Sequence, residues 1–272
     1  RLFVLYLLGS MLLYILSVIF GLLIGSFLNC LAWRLYKNES IGGRSYCPKC
    51  SAMIAWYDNI PLLSFLLLRG RCRHCQKKIS WQYPLVEVAT AILFALAVVR
   101  IVGLYGSFEI WGIEALVTLL RDWMLIASVM VVFITDARWY LIFFEVTIPA
   151  AVVVLLCNAF LGAPWQSLLL SATIGSGFFL LQYIVSKGRW IGEGDIWMGL
   201  LLGAAFGWPL ILPAIFIAYL LGALVGIILI CLGKKHWSAI LPFGTFLATS
   251  SVITLFYGEI IVRWYLHLIG LN

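Results

Sequence analysis

Gly192-Glu193-Gly194-Asp195-Ile196-Trp197-Met198 is the stretch on which the reading of this chain turns. It sets a carboxylate behind two glycines and at the head of an apolar run, where an ionisable group is expensive and by default functional. Asp136 stands in a similar place, between Val131-Val132-Phe133-Ile134-Thr135 and a second apolar run beginning at Trp139. Taken singly, Asp195 reads equally well as a helix cap, and Asp136 as an interfacial charge paired with Arg138. What separates the readings is whether the two carboxylates share one face of a membrane.

The surroundings supply the membrane. Of the 272 residues, 64% are hydrophobic and 11% charged, and the mean hydropathy is +1.08, which excludes a soluble globular domain. Apolar runs near the length of a bilayer crossing occur at about 3–31, 84–104, 117–135, 139–161, 167–186, 196–207, 209–232 and 240–262. The chain therefore reads as an all-α polytopic membrane protein with about eight transmembrane helices. The first run is too long for a signal-peptide core and shows no cleavage site, so it is expected to be a retained span. The third contains Arg121 and Asp122 and is expected to enter the membrane obliquely. The sixth is short and meets the seventh at Gly207-Trp208-Pro209, where proline breaks the helix.

Charge sets the orientation. Fourteen of the eighteen Lys and Arg residues follow odd-numbered runs, while Arg1, Arg100, Arg121 and Arg263 fall on the other side. By the positive-inside rule the odd loops are cytoplasmic and both termini face out. Asp136 follows run three and Asp195 follows run five, so both are predicted at the cytoplasmic face, with the long first loop. The net charge of +7 is thus explained by orientation in the lipid bilayer rather than by nucleic acid.

That first loop, residues 32–82, carries Cys47-Pro48-Lys49-Cys50 and Cys72-Arg73-His74-Cys75 with 21 residues between them. Two such turns, each offering two thiolates to one tetrahedral ion, are the pattern of a structural zinc site. Neighbouring Lys and Arg favour the thiolates. Two disulfides are the alternative, disfavoured by a reducing cytoplasm. His74 reads as a solvated neighbour, and Cys30, Cys157 and Cys231, inside apolar runs, as small buried hydrophobes. The expected domains are a first transmembrane helix (1–31), a cytoplasmic cysteine loop (32–82) and a transmembrane catalytic domain (83–272).

Two carboxyls held together retain one proton between them, so one can take a proton from water while the other polarises a carbonyl. Glycines 192 and 194 are expected to take unusual dihedrals and admit an extended peptide. Glu193 reads as facing the headgroups, Glu87 as leaning toward the loop, and Gly21 and Gly25 as a close helix–helix contact.

The chain resembles the bacterial type IV prepilin peptidases, membrane aspartyl proteases named for a Gly-x-Gly-Asp motif. The resemblance rests on Gly25-Ser26-Phe27-Leu28-Asn29, Arg34-Leu35, Tyr46-Cys47-Pro48 with Cys50, and Trp56-Tyr57-Asp58-Asn59-Ile60-Pro61. It continues through Arg69-Gly70-Arg71-Cys72, Tyr83-Pro84-Leu85-Val86-Glu87, Asp136, Gly192 with Gly194-Asp195, and Pro242-Phe243-Gly244. It implies removal of the cytoplasmic leader of prepilins or type II secretion pseudopilins after a glycine, in the bacterial inner membrane. It also implies N-methylation of the new terminus from S-adenosylmethionine. The implied catalytic pair is Asp136 and Asp195, with no metal there; the implied zinc ligands are Cys47, Cys50, Cys72 and Cys75. Three positions depart from the family pattern: Ile142-Phe143-Phe144 where Ile-Pro-Asp or Leu-Pro-Asp is usual, Trp197 for a lysine, and Thr245 for the proline after Phe-Gly. Two rival readings are a related protease that does not methylate, and a zinc-stabilised scaffold in which both aspartates are structural.

Overall fold

A computed structural model of the chain describes residues 2–106, 112–234, 236 and 240–270, with residues 2–10 described by backbone alone. Arg1 and Lys235, which enter the charge pattern, lie outside the described residues. The chain is helical: α1 (Leu2–Lys37), a short 3-10 turn (Trp56–Asn59), α2 (Leu63–Leu67), α3 (Gln82–Tyr105), α4 (Ile113–Trp139), α5 (Phe144–Phe160), α6 (Trp165–Ser186), α7 (Glu193–Phe206), α8 (Ile211–Cys231) and α9 (Phe243–Leu268). Pairing among the described residues is confined to two isolated antiparallel bridges, Tyr46 with Met53 and Arg71 with Lys78.

Each of the eight apolar runs is a helix, but they are not equal. Six are long and apolar enough to cross a membrane: α1, α3, α4, α6, α8 and α9. The other two are short, 17 residues in α5 and 14 in α7. At about 1.5 Å per residue these reach roughly 25 and 21 Å, less than the ~30 Å hydrocarbon core. The helix carrying Arg121 and Asp122 is continuous from Ile113 and keeps that charge by pairing it: Arg121 Nη2 lies 2.7 Å from Asp122 Oδ1.

The chain forms two compact units, Arg1–Leu119 and Leu120–Asn272. In the first, α1 packs along α3 at Gly21 and Gly25. A Cβ on Gly21 would lie 2.6 Å from Ala91 Cα, and one on Gly25 2.8 Å from Glu87 Cα, so only glycine lets these backbones meet. α1 runs past its apolar part to Lys37, ending on Arg34 and Lys37 where cations suit the helix dipole. The loop after it is fastened back to α3 by Leu62 N–H, which donates to Glu87 Oε2 at 2.9 Å.

In the second unit α7 is the hub, with α5, α6, α8 and α9 around it. It is apolar on all sides, as a fully enclosed helix should be, and Met198, Leu201 and Leu202 are completely buried. Its close partner is α6: a Cβ on Gly199 would meet Phe179 Cδ2 at 2.6 Å, and one on Gly203 would meet Ala172 Cα at 2.5 Å. The C-terminal carbonyls of α7 lack intrahelical donors. Asn158 Nδ2 supplies them, donating to Ala204 O at 2.8 Å and Ala205 O at 3.0 Å. Arg121 holds that amide from the other side, donating to Asn158 Oδ1 at 2.7 Å. The network thus ties α4 and α7, the two helices that carry the aspartates.

Candidate active site

Asp195 is the third residue of α7 and Asp136 lies in the last turn of α4; both are buried, 4% and 5% exposed. Asp195 Oδ2 accepts the N–H of Gly192, the residue capping α7, at 2.9 Å. Half of the cap reading therefore holds. The other half of the carboxylate does not fit it: Asp195 Oδ1 is buried and has no hydrogen-bond partner among the described residues. A buried, unsatisfied carboxylate oxygen costs stability that a mere cap would not incur.

Asp136 finds its partners on a distant element. Its Oδ2 accepts the N–H of Thr245 at 2.7 Å, and the N–H of Gly244 also points at it. These belong to the first turn of α9. Arg138, the expected counter-ion, stacks over the Trp139 ring, 5.1 Å from its centroid. Each aspartate thus sits at a helix N-terminus, Asp195 at its own and Asp136 at that of α9, where free N–H groups and the dipole favour negative charge.

Ile142 brings the two together. A Cβ on Gly194 would lie 2.5 Å from Ile142 Cβ, and one on Gly244 would lie 2.7 Å from Ile142 Cδ1 and 3.0 Å from Asp136 Oδ2. Ile142, in the link between α4 and α5, is therefore wedged between the glycine preceding Asp195 and the glycine above Asp136, and the charge of Asp136 reaches Asp195. This corrects the reading of the glycines. Gly192 is extended at φ −81 and ψ 162, Gly194 is helical, and neither has a positive φ. Gly194 is needed because a side chain has no room against Ile142. Tyr219 completes the surroundings: it feels the charge of Asp195, donates to Gln182 Oε1 at 2.7 Å and packs on Phe243 with centroids 4.8 Å apart. Sequence reading marked Ile142 and Thr245 only as departures from the family pattern, not as parts of the site, and missed Tyr219.

The four cysteines of the first unit converge separately. The sulfurs of Cys47, Cys50, Cys72 and Cys75 all lie within 4.8 Å of one another, and His74 is outside the group. No disulfide joins any of the seven cysteines in this structure. The two turns are copies. Cys47 N–H donates to Ala52 O and Cys72 N–H to Lys77 O, while Ser51 N–H returns to Cys47 O and Gln76 N–H to Cys72 O. Cys47 and Cys75 sulfurs are 4.0 Å apart, near the ~3.8 Å edge of a tetrahedron with ~2.3 Å metal–sulfur bonds. The N–H of Cys75, with that of His74, holds the Cys72 thiol down at about 7, while burial and the neighbouring thiols push Cys50 up to about 11. The donor set fits zinc. Asp58 fastens the second turn to the 3-10 segment through a bidentate pair with Arg73, at 2.6 and 2.7 Å.

Comparison with known proteins divides the chain at similar places. Residues 19–101 match the Bacterial Peptidase A24 N-terminal domain and residues 123–227 the Type IV leader peptidase family. A protein of Aeromonas hydrophila named prepilin leader peptidase/N-methyltransferase is 35% identical, over 91% of this chain and 92% of its own length. The chain belongs to the type IV leader peptidase family. Relatives of the same name in Pseudomonas aeruginosa and Bacillus subtilis are each 32% identical, covering 93% and 91% of this chain and 93% and 96% of their own. No solved structure matches. Both aspartates lie inside the stretch matched by the leader peptidase family, and all four cysteines inside the N-terminal match. Gly244 and Thr245, which hold Asp136, lie beyond both.

Proposed function

We propose that this chain is an aspartyl endopeptidase of the bacterial inner membrane that removes the leader of prepilins or pseudopilins after a glycine and N-methylates the new terminus. The observation that carries the proteolytic part is the joining of two buried carboxylates, from α4 and α7, across Ile142, with Asp195 Oδ1 left without a partner. An oxygen kept bare at that cost is placed for a water or a substrate carbonyl.

Asp136 and Asp195 hold one proton between them. The ionised carboxyl takes a proton from water as its oxygen attacks the scissile carbonyl carbon, and the protonated one hydrogen-bonds the carbonyl oxygen. Collapse of the adduct breaks the C–N bond, and the leaving nitrogen takes a proton from the carboxyl that received it. The helix N-termini behind both groups offset the charge that develops. Cys47, Cys50, Cys72 and Cys75 hold a structural zinc that organises the loop. S-adenosylmethionine supplies the methyl group. Both the loop and the aspartates face the cytoplasm, as the distribution of Lys and Arg supports.

Co-expression with a candidate prepilin tests the reading. Wild type converts the precursor to a faster-migrating product, and Asp136→Asn or Asp195→Asn leaves it uncut although the enzyme still inserts. Unchanged processing in either variant would reject the aspartate pair, and an unmethylated mature terminus by mass would reject the second activity.

A further inference from the structure

The cysteine loop carries leucines that its own fold leaves bare. In α2, Leu63, Leu66 and Leu67 recur at helical spacing on one face and are 49%, 69% and 73% exposed. The turn that holds them is well fastened. Ser64 is buried, and its Oγ donates to Tyr57 O at 2.9 Å and accepts the Ile60 N–H at 3.1 Å. Phe65, on the side away from the leucines, packs on Trp81 with ring centroids 5.0 Å apart. It also lies against Gly70, where a Cβ would meet the ring at 3.1 Å. The leucines are thus held outward, and a rigid apolar face of this kind marks a contact surface.

The depth of α2 is set by α3. Leu62, the residue before α2, donates its N–H to Glu87 Oε2 at 2.9 Å. Glu87 lies in the second turn of α3, a helix long and apolar enough to cross a membrane. That bond therefore forms roughly 8 Å along the axis from the start of α3, within the ~5–10 Å to which interfacial helices bury an apolar face. Trp81, the exposed residue before α3, heads a stripe of exposed apolar side chains at helical spacing, Leu85, Val88, Ile92 and Leu96. Tryptophan at the head of a crossing helix suits the membrane–water interface, and Phe65 joins α2 to it. Beyond α2 the surface turns basic, with Arg69, Arg71, Lys77 and Lys78 exposed, a charge that suits anionic headgroups.

We infer that α2 is seated in the headgroup–acyl boundary of the leaflet in which α3 begins, with Leu63, Leu66 and Leu67 in lipid and Arg69 and Arg71 at the phosphates. Glu87 is the latch that fixes its depth. The second cysteine turn inherits this seat from both sides of α2. Ile79 N–H donates to Gly70 O at 2.8 Å, just after it, and Arg73 pairs with Asp58 of the 3-10 segment, just before it. The metal-binding fold thus lies on the leaflet instead of hanging from α1 and α3 by its ends. This seat needs only that α3 cross the membrane, whatever activity the chain has.

Replacing Leu67 by the fluorescent residue acridonylalanine tests this, in full-length, zinc-loaded protein in nanodiscs whose lipids carry a nitroxide quencher. The nitroxide is placed either just beneath the headgroup or near the bilayer centre, and the same fluorophore at position 96, well inside α3, reports a helix in lipid. Emission at 67 is expected to fall about twofold or more with the shallow label and less with the deep one, as an interfacial seat requires. With the fluorophore at position 63, Leu66→Glu together with Leu67→Glu is expected to remove most of the quenching while zinc content stays at the wild-type level. Quenching at 96 but not at 67 would overturn the seat, as would quenching at 63 that survives both glutamates. Emission at 67 that ignores the lipid labels but shifts when a prepilin is added would also overturn it and make the face a seat for the substrate helix. No quenching at 96 would take α3 out of the bilayer, and α2 with it.

Discussion

The cysteine cluster and the aspartate pair are built in opposite ways. The cluster is made locally, from one turn used twice, each closed by the same two backbone hydrogen bonds. The aspartate pair is made at long range. Asp136 takes its N–H donor from a residue 109 positions away, and its join to Asp195 runs through Ile142, between glycines of two other helices. A locally made site survives changes elsewhere but depends on its ligand. A site assembled from helices is only as good as their packing.

The largest effect expected from that contrast is at the carboxylates. Asp195→Asn should lower leader cleavage by about a thousandfold or more, with melting temperature near wild type or higher, because an unsatisfied buried charge is removed. Precursor and product on a gel give the first readout and thermal unfolding in detergent the second. A stable variant that still cuts would make the two sites alike, both structural. Next comes Cys72→Ser. Purified protein should fall from about one zinc per chain to well below it, since structural zinc binding is coupled to folding of its ligand loop. Limited proteolysis should then open the 39–80 region, with the helices of the second unit still protected. Cleavage spread through both units would show that the local site is not self-contained.

Packing gives the intermediate case. Gly194→Ala puts a methyl 2.5 Å from Ile142 Cβ and should cost about ten- to a hundredfold in kcat, as expected when catalytic groups are displaced by a fraction of an ångström. Adding Ile142→Ala should recover part of the loss, since the two residues are in contact and do not act additively. Failure of that rescue would mean Ile142 is not the join. The smallest effect belongs to Thr245→Pro, which restores the residue usual in the family. Proline has no N–H, so the 2.7 Å donation to Asp136 is lost, and kcat should fall about tenfold or less. Thr245→Val, which keeps the N–H, should stay near wild type in the same assay.

The same contrast explains what could be read from the residues alone. The four zinc-type ligands were legible because the whole site is written in two four-residue words. Asp136 and Asp195 stood out because ionisable groups between apolar runs are few, and the loop charges predict both on one side. The roles of Ile142 and Thr245 were not legible, since each depends on where a remote helix ends, and periodicity in one run says nothing about its neighbour. The glycines were found for the wrong reason: position 194 is small to admit the Ile142 side chain from the link after α4, a demand set by packing and invisible in local dihedral preference. Six of the eight apolar runs announced helices of full crossing length, while α5 and α7 were shown as short only by their observed ends.

That brevity has a consequence for α7. A helix of 14 residues falls about 9 Å short of the hydrocarbon slab, and because α5, α6, α8 and α9 surround it, the space beyond its ends is bounded by protein rather than by lipid.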